Sequence, residues 1–335
     1  MFVMCSDIRI GGMAVKPSAV RYKMSVGNYT DTCTVTLPLA PYVKSRDQGT
    51  EATPDTGMTH QRSCVFRYGD EVDVRLGYNN EVSSVFKGFV YRVNYREQLV
   101  IECEGYAFQL RDRWVNKSWQ KTTAREILKD VVSGTWIKLS PAIDDVPLTN
   151  VTLKNVARLK VLEWLQRECA CRVWMDDEYL YAGASSFVYP NPRYQGRSVK
   201  VRIGWNVVSA DELKKVERED VQINIVSKNP KGEVKRTKGE GRRYSSVKEV
   251  KVRQGLGEAY LKKAAEEMQA AEDWRGYEGS ITLFGEPNVR KGDRIEITDE
   301  RFPERSGNYF VEEVEGTFDE HGYRQKLKLR HYGGK

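Results

Sequence analysis

No run of apolar residues among these 335 positions approaches the roughly 18 that a membrane-spanning helix needs, which excludes an integral helical membrane protein. The first twelve residues lack the basic start and the apolar stretch of a secretory signal, which points to synthesis and folding in the cytosol. Cysteine is sparse. Six residues, at 5, 33, 64, 103, 169 and 171, are spread too thinly for a disulfide scaffold, so free thiols are expected. The histidines are only His60, His321 and His331, and none stands at zinc-ligand spacing from the close pair Cys169 and Cys171. That pair is expected to be small buried residues, and the sequence implies no metal and no cofactor.

Catalytic signatures are also missing: there is no Gly-x-Ser-x-Gly elbow, no His-Glu-x-x-His and no Walker phosphate loop. Gly255-Leu256-Gly257-Glu258-Ala259-Tyr260 imitates a dinucleotide fingerprint, but Tyr260 stands where a small residue is required and the preceding strand is charged, so a helix-entry turn is expected. Carboxylates pair in sequence at Asp144-Asp145, Asp176-Asp177 and Glu102 with Glu104. Glycoside cleavage needs two carboxylates facing one cleft, which sequence neighbours do not establish. Turn and surface roles are expected for them, and no catalytic residue is assigned.

What is present is a globular composition, 40% hydrophobic and 30% charged, in a chain of two or three domains' length. The net charge of +7 is local: Lys228 to Arg253 holds ten basic and three acidic residues, leaving 44 of each sign elsewhere. Such a stretch can track phosphates, but only Tyr244 is there to stack on a base, so a solvated ribbon or loop is favoured.

Period-two alternation marks strands at Val20-Tyr22-Met24, Cys33-Val35-Leu37, Val72-Val74-Leu76, Phe89 to Tyr95 and Leu99-Ile101-Cys103. Lys44 to Ser63 has no period and reads as a long mobile excursion. The middle changes character. Thr123-Ala124-Arg125-Glu126 is a capping box opening a helix that Gly134 stops, a second helix is expected from about Val156 to Cys169, and a hairpin follows it around Asp176-Asp177. Beyond the linker Tyr189-Pro190-Asn191-Pro192, strands return at Arg294–Thr298, Tyr309–Val314 and Gln325–Leu329, with one amphipathic helix over Glu258–Asp273.

The two β-rich ends echo each other. Gly69-Asp70 leads into Val72-Val74, Gly88 opens the next strand and Leu99 to Cys103 closes the set; Gly292-Asp293 leads into Ile295-Ile297, Gly307 opens the next and Gln325 to Leu329 closes it. The fold class expected is mainly β with an α+β insert: two similar β-domains, each a small antiparallel barrel or sandwich, 1–105 and 189–335 (the latter with one inserted helix), flanking a small helix-containing domain, 106–188.

The series Tyr68 to Tyr78, Phe86-Lys87-Gly88, Lys121 to Ala124 and Val161 to Leu165 resembles the late control protein D group of phage tail baseplate hubs, which is related to the hub part of type VI secretion spike proteins. Gly279 to Thr282, Val289 to Asp293, Gly307 to Val311 and Gly322 to Arg324 continue in that family's order. The resemblance implies that both β-domains are barrels, and a homotrimeric ring in which two such β-barrel tube domains per subunit present six modules. It would join the tail tube or distal tail protein to a separate spike protein in the virion baseplate, assembled in the host bacterial cytoplasm. DNA would be a partner only in transit through the channel, and no membrane insertion is implied. Lys235, Arg236, Arg242 and Arg243 would face a neighbour or that channel. From the residues alone two other readings stay open: a tail-associated cell-wall hydrolase, and a basic oligonucleotide-binding barrel protein.

Overall fold

The computed structural model describes residues 3–38, 43–44, 63–95, 97–185, 190–194, 197–216, 220–228, 232–239, 246–252 and 255–331. The front of the chain supplies β1 (Met4–Ile10), β2 (Met13–Val15), β3 (Ala19–Ser25), β4 (Thr32–Pro38), the short β5 (Val43–Lys44) and β6 (Ser63–Cys64), and then β7 (Glu71–Tyr78), β8 (Glu81–Tyr95) and β9 (Gln98–Glu104). Alternation sets their faces: Val20, Tyr22 and Met24 are buried while Arg21 and Lys23 meet solvent. The ends of the expected excursion pair, Val43 with Cys64 and Lys44 with Ser63; its interior, including His60, lies outside the described residues.

The middle comprises β10 (Trp114–Thr123), α1 (Ala124–Val132), β11 (Lys138–Leu139), β12 (Pro147–Ala157), α2 (Arg158–Glu168), β13 (Arg172–Asp176) and β14 (Tyr179–Gly183). The capping box forms as its residues dictate: Thr123 Oγ1 accepts from the Glu126 N–H at 3.2 Å, and Glu126 accepts from the Thr123 N–H at 3.1 Å. The second helix starts later than its apolar pattern suggests because Val156 and Ala157 complete β12, opposite Val115 and Trp114.

The rear supplies β15 (Ser198–Arg202), β16 (Val207–Ser209), β17 (Lys214–Val216), β18 (Val221–Lys228), β19 (Val234–Lys238), β20 (Ser246–Val252), α3 (Glu258–Asp273), β21 (Gly276–Phe284), β22 (Arg294–Thr298), β23 (Gly307–Asp319) and β24 (Gly322–His331). Gly257 is the N-cap of α3, so the Gly255-Leu256-Gly257 run is a helix-entry turn.

The fold is mainly β with an α+β insert, and its two β modules repeat one plan. Across the front sheet the order is β1-β7-β8-β9-β4-β3; across the rear it is β15-β22-β23-β24-β21, with β16 and β17 beyond β21. Register repeats as well. Cys33 faces Cys103 and Val35 faces Ile101 in front, as Gly279 faces Leu329 and Ile281 faces Leu327 behind. A bulge falls between Val90 and Arg92 in β8 and between Val311 and Glu313 in β23.

The turn before the first strand of each triple is the same to the level of single hydrogen bonds. The Arg67 N–H donates to the Asp70 carboxylate at 2.8 Å, the Gly69 N–H to Val90 O at 2.8 Å, and the Val90 N–H to Asp70 O at 2.8 Å. The Arg290 N–H donates to Asp293 at 2.8 Å, the Gly292 N–H to Val311 O at 2.8 Å, and the Val311 N–H to Asp293 O at 3.0 Å. Gly69 and Gly292 hold φ of 86° and 85°, the left-handed conformation in which a Cβ is strained. One departure is clear: β1 runs antiparallel to β7, whereas β15 runs parallel to β22.

The modules lie far apart in sequence yet join edge to edge, because β3 runs antiparallel along Glu313–Phe318 of β23. One continuous sheet results, and one apolar core runs beneath it from Val74, Leu76 and Ile101 to Ile295, Ile297 and Leu327. A second core gathers Ile127, Leu162, Leu165 and Trp174 with Ile223, Ile225, Leu261 and Ala264. From the rear of the chain, β18, Val252 of β20 and α3 therefore pack with the middle. There Gln269 of α3 accepts from the Ile223 N–H at 2.7 Å and donates to Val221 O at 2.9 Å, fastening the helix to β18.

Candidate assembly interface

The rear turn does work that its front twin does not. Arg290 and Lys291 are only 5% and 3% exposed. Arg290 donates to Asp176 at 2.9 Å and stands 3.0 Å from Asp177, both on the hairpin between β13 and β14. Lys291 donates to both oxygens of Asp31, which follows β3, at 2.5 and 2.7 Å. Arg197 lies 3.5 Å from Asp293. One four-residue turn thus pins the front, the middle and the rear of the chain to each other. Burial pushes the Asp31 and Asp176 carboxyls up, against the opposing pull of Lys291 and of Arg290 respectively. Burial also pushes Asp293 up to about 6, with Arg197 opposing.

This corrects the expectation for Asp176-Asp177. They do sit at a turn, where Asp177 has φ of 47°, but their carboxylates are buried against a cation from another module, which no local pattern reveals. Glu102 and Glu104 do lie on the partly wetted face: Asn94 donates to Glu102 at 2.7 Å, and Arg111 grips Glu104 at 2.8 and 2.6 Å. Asp144 takes Lys263 at 2.5 Å and the Ala184 N–H at 2.7 Å. Those carboxylates serve as fasteners in the fold. Among the described residues no group of three His, Cys, Asp or Glu side chains is placed to hold a metal ion.

Of the basic residues singled out from sequence, Lys235 and Arg236 lie exposed on β19, the edge of the three-stranded sheet β19-β18-β20; Arg242 and Arg243 lie outside the described residues. The segment, expected as a solvated ribbon or loop, forms over its described part the two outer strands of that sheet, β19 antiparallel and β20 parallel to β18 between them. The sequence reading missed an apolar groove of about 540 Å³ lined by Met4, Tyr78, Trp205, Phe284, His321 and Arg324. Trp205, 79% exposed in a Gly-Trp-Asn turn, is the signal that marks it.

Neither a protein-family model nor a curated protein matches this sequence. Solved structures do match its fold. The tail protein of Neisseria meningitidis MC58 superposes with a TM-score of 0.65 at 15% identity, covering 99% of this chain and 97% of that one. The 43 kDa tail protein of prophage MuSo2 from Shewanella oneidensis gives 0.62 at 13% identity, covering 97% and 98%. The E. coli c3393 protein, a type VI secretion component described as structurally similar to the T4 tail proteins gp27 and gp5, gives 0.55 at 11% identity, covering 97% of this chain and 77% of that one. This chain has the fold of phage tail proteins and of a type VI secretion component.

Proposed function

We propose that the chain is a structural protein of a phage or prophage tail: the baseplate hub, of the late control protein D kind, assembled as a homotrimer between the tail tube and a separate spike protein. Residues 1–105 and 189–335 furnish the two tube modules and 106–188 the unit between them, with β18 and α3 of the rear stretch packed onto that unit. Three chains carrying two like modules each offer six stations around an axis, which lets a three-fold object meet a six-fold tube. The observation that carries the reading is the duplication itself, with strand order, register, bulge and turn hydrogen bonds repeated in a chain whose fold matches tail proteins along nearly its whole length. The exposed apolar groove at Trp205 and the basic edge at Lys235 and Arg236 are surfaces for neighbours in the virion tail. DNA passes through the channel without being a specific ligand.

No enzymatic step belongs to this reading, since the function lies in fitting surfaces together. Light scattering on the purified chain is expected to return three times the 38.5 kDa chain mass. A single-chain mass at every concentration overturns it. A peptidoglycan zymogram is expected to stay uncleared, and a cleared zone would restore the cell-wall hydrolase reading.

A further inference from the structure

Where the front module meets the middle of the chain there is a pocket of about 290 Å³ to which the assembly reading gives no role. Strand register builds its floor. Arg9 faces Asp73 across β1 and β7, Asp73 faces Lys87 across β7 and β8, and Glu71 faces Phe89 in the next row. Opposite residues of an antiparallel pair point to one side, as do residues two apart on a strand. All five side chains therefore share the face turned away from Val72 and Val74, which are buried in the core.

Aromatic rings wall the pocket. Phe89 stacks on Phe108 at 5.4 Å and touches both Tyr106, just after β9, and Trp136, beyond α1, at 5.7 Å. Trp136 is 58% exposed, yet it is held: its ring leans on Phe89, and its backbone N–H donates to Gln109 Oε1 at 2.8 Å. A large ring fixed in place while open to solvent is a stacking surface prepared in advance of a ligand.

The polar groups divide into spent and unspent. Asp73 accepts from Arg75 at 2.9 Å, and Arg9 stands 3.7 Å from Asp7. By contrast, among the described residues the side chains of Glu71, Lys87, Tyr106 and Trp136 make no hydrogen bond. A carboxylate, an ammonium, a hydroxyl and an indole N–H thus line one small space with donors and acceptors to offer. Burial, followed by the charges of Glu178 and Asp177, pushes the Tyr106 hydroxyl up to about 12, which keeps it a neutral donor.

We propose that this pocket binds one unit of a neutral saccharide chain, its pyranose ring laid on Trp136 and its hydroxyls bonded to Glu71 and Lys87. A pyranose has a C–H face that suits an aromatic ring and a rim of hydroxyls that both donate and accept. The charged side chains lining the pocket are two of each sign, which favours a neutral polyol over either kind of ion. The volume lies at the lower end for small-molecule sites, which suits one sugar ring better than a peptide segment. The site stands whether or not three chains close a ring. Two bacterial sources share this chemistry: the N-acetylhexosamine chain of a cell wall and the hexose chain of a surface polysaccharide.

The test is calorimetric titration of the full chain with triacetylchitotriose, with maltotriose and, as a charged control, with trigalacturonate. Saturable binding of at least one neutral trisaccharide is expected. Trp136→Ala, and Glu71→Gln together with Lys87→Gln, should each weaken it about tenfold or more, while Trp205→Ala in the other groove leaves it unchanged. Preference for triacetylchitotriose supports the cell-wall source, and preference for maltotriose the surface polysaccharide. Binding of neither, trigalacturonate binding as tightly as both, or an equal loss in the Trp205 variant overturns the proposal. Hydroxyl-radical footprinting of the unaltered chain guards against a variant that fails to fold. Saturating trisaccharide is expected to slow labelling at Trp136 and not at Trp205, and unchanged labelling of Trp136 overturns the site.

Discussion

Tyr22 lies on Gly316 with no room for a side chain between them: a Cβ at Gly316 would stand 2.0 Å from the Tyr22 ring. The two residues face each other across the β3-β23 pair, and the Tyr22 hydroxyl meets that of Tyr323 at 3.1 Å within the core. The junction of the two modules is thus built around one bare backbone position.

Gly316→Val is therefore expected to lower stability by about 1–3 kcal/mol, the usual cost of overfilling a packed core. Urea denaturation checks it. Combining the change with Tyr22→Ala should cost less than the two single changes added together, since the residues share one contact.

Arg290→Met leaves Asp176 and Asp177 buried without their cation. The expected loss is about 3–5 kcal/mol, the range for removing one partner of a buried pair. Adding Asp176→Asn and Asp177→Asn should recover most of it, and recovery of none would mean that the arginine acts through packing and not charge.

Asp293 supplies a pH dependence with a definite sign. Its carboxyl holds a proton more tightly folded, at about 6, than at its ordinary 3.8, so the folded chain binds more proton between those values. Its contribution to stability accordingly falls as the pH rises from about 4 to about 6. Asp293→Asn, which keeps an acceptor for the Arg290 N–H, should give a shallower slope of urea midpoint against pH in that window. An unchanged slope would assign the effect to other groups.

Neutralising Lys235, Arg236, Arg242 and Arg243 to glutamine is expected to weaken assembly with an acidic tail partner at moderate salt. At the exposed Lys235 and Arg236 each change should move stability by no more than about 0.5 kcal/mol, as for exposed side chains generally. Co-sedimentation across a salt series checks it, and unchanged assembly removes that role from the segment.

Local patterns were legible wherever local chemistry decides. Thr123 and Glu126 announced their capping box, Leu261 and Ala264 their helix face, and Gly69-Asp70 with Gly292-Asp293 their common turn. β10 and β12 were not read, because β10 is exposed along most of its length and carries no period-two burial. The ion pairs that tie the modules together were invisible for a different reason. Lys291 and Asp31 are 260 positions apart, and Lys23 and Glu313 are 290, so only the folded sheet brings them within reach. The likeness of the modules could be read from spacing, but the edge by which they join could not.

If three chains stand in for six, the symmetry of the assembly must display it. Electron-microscopic averages of the purified assembly viewed down its axis, taken together with its mass, are the decisive measurement. Six similar lobes from three chains are expected; six lobes from six chains, or three lobes from three, would overturn the ring.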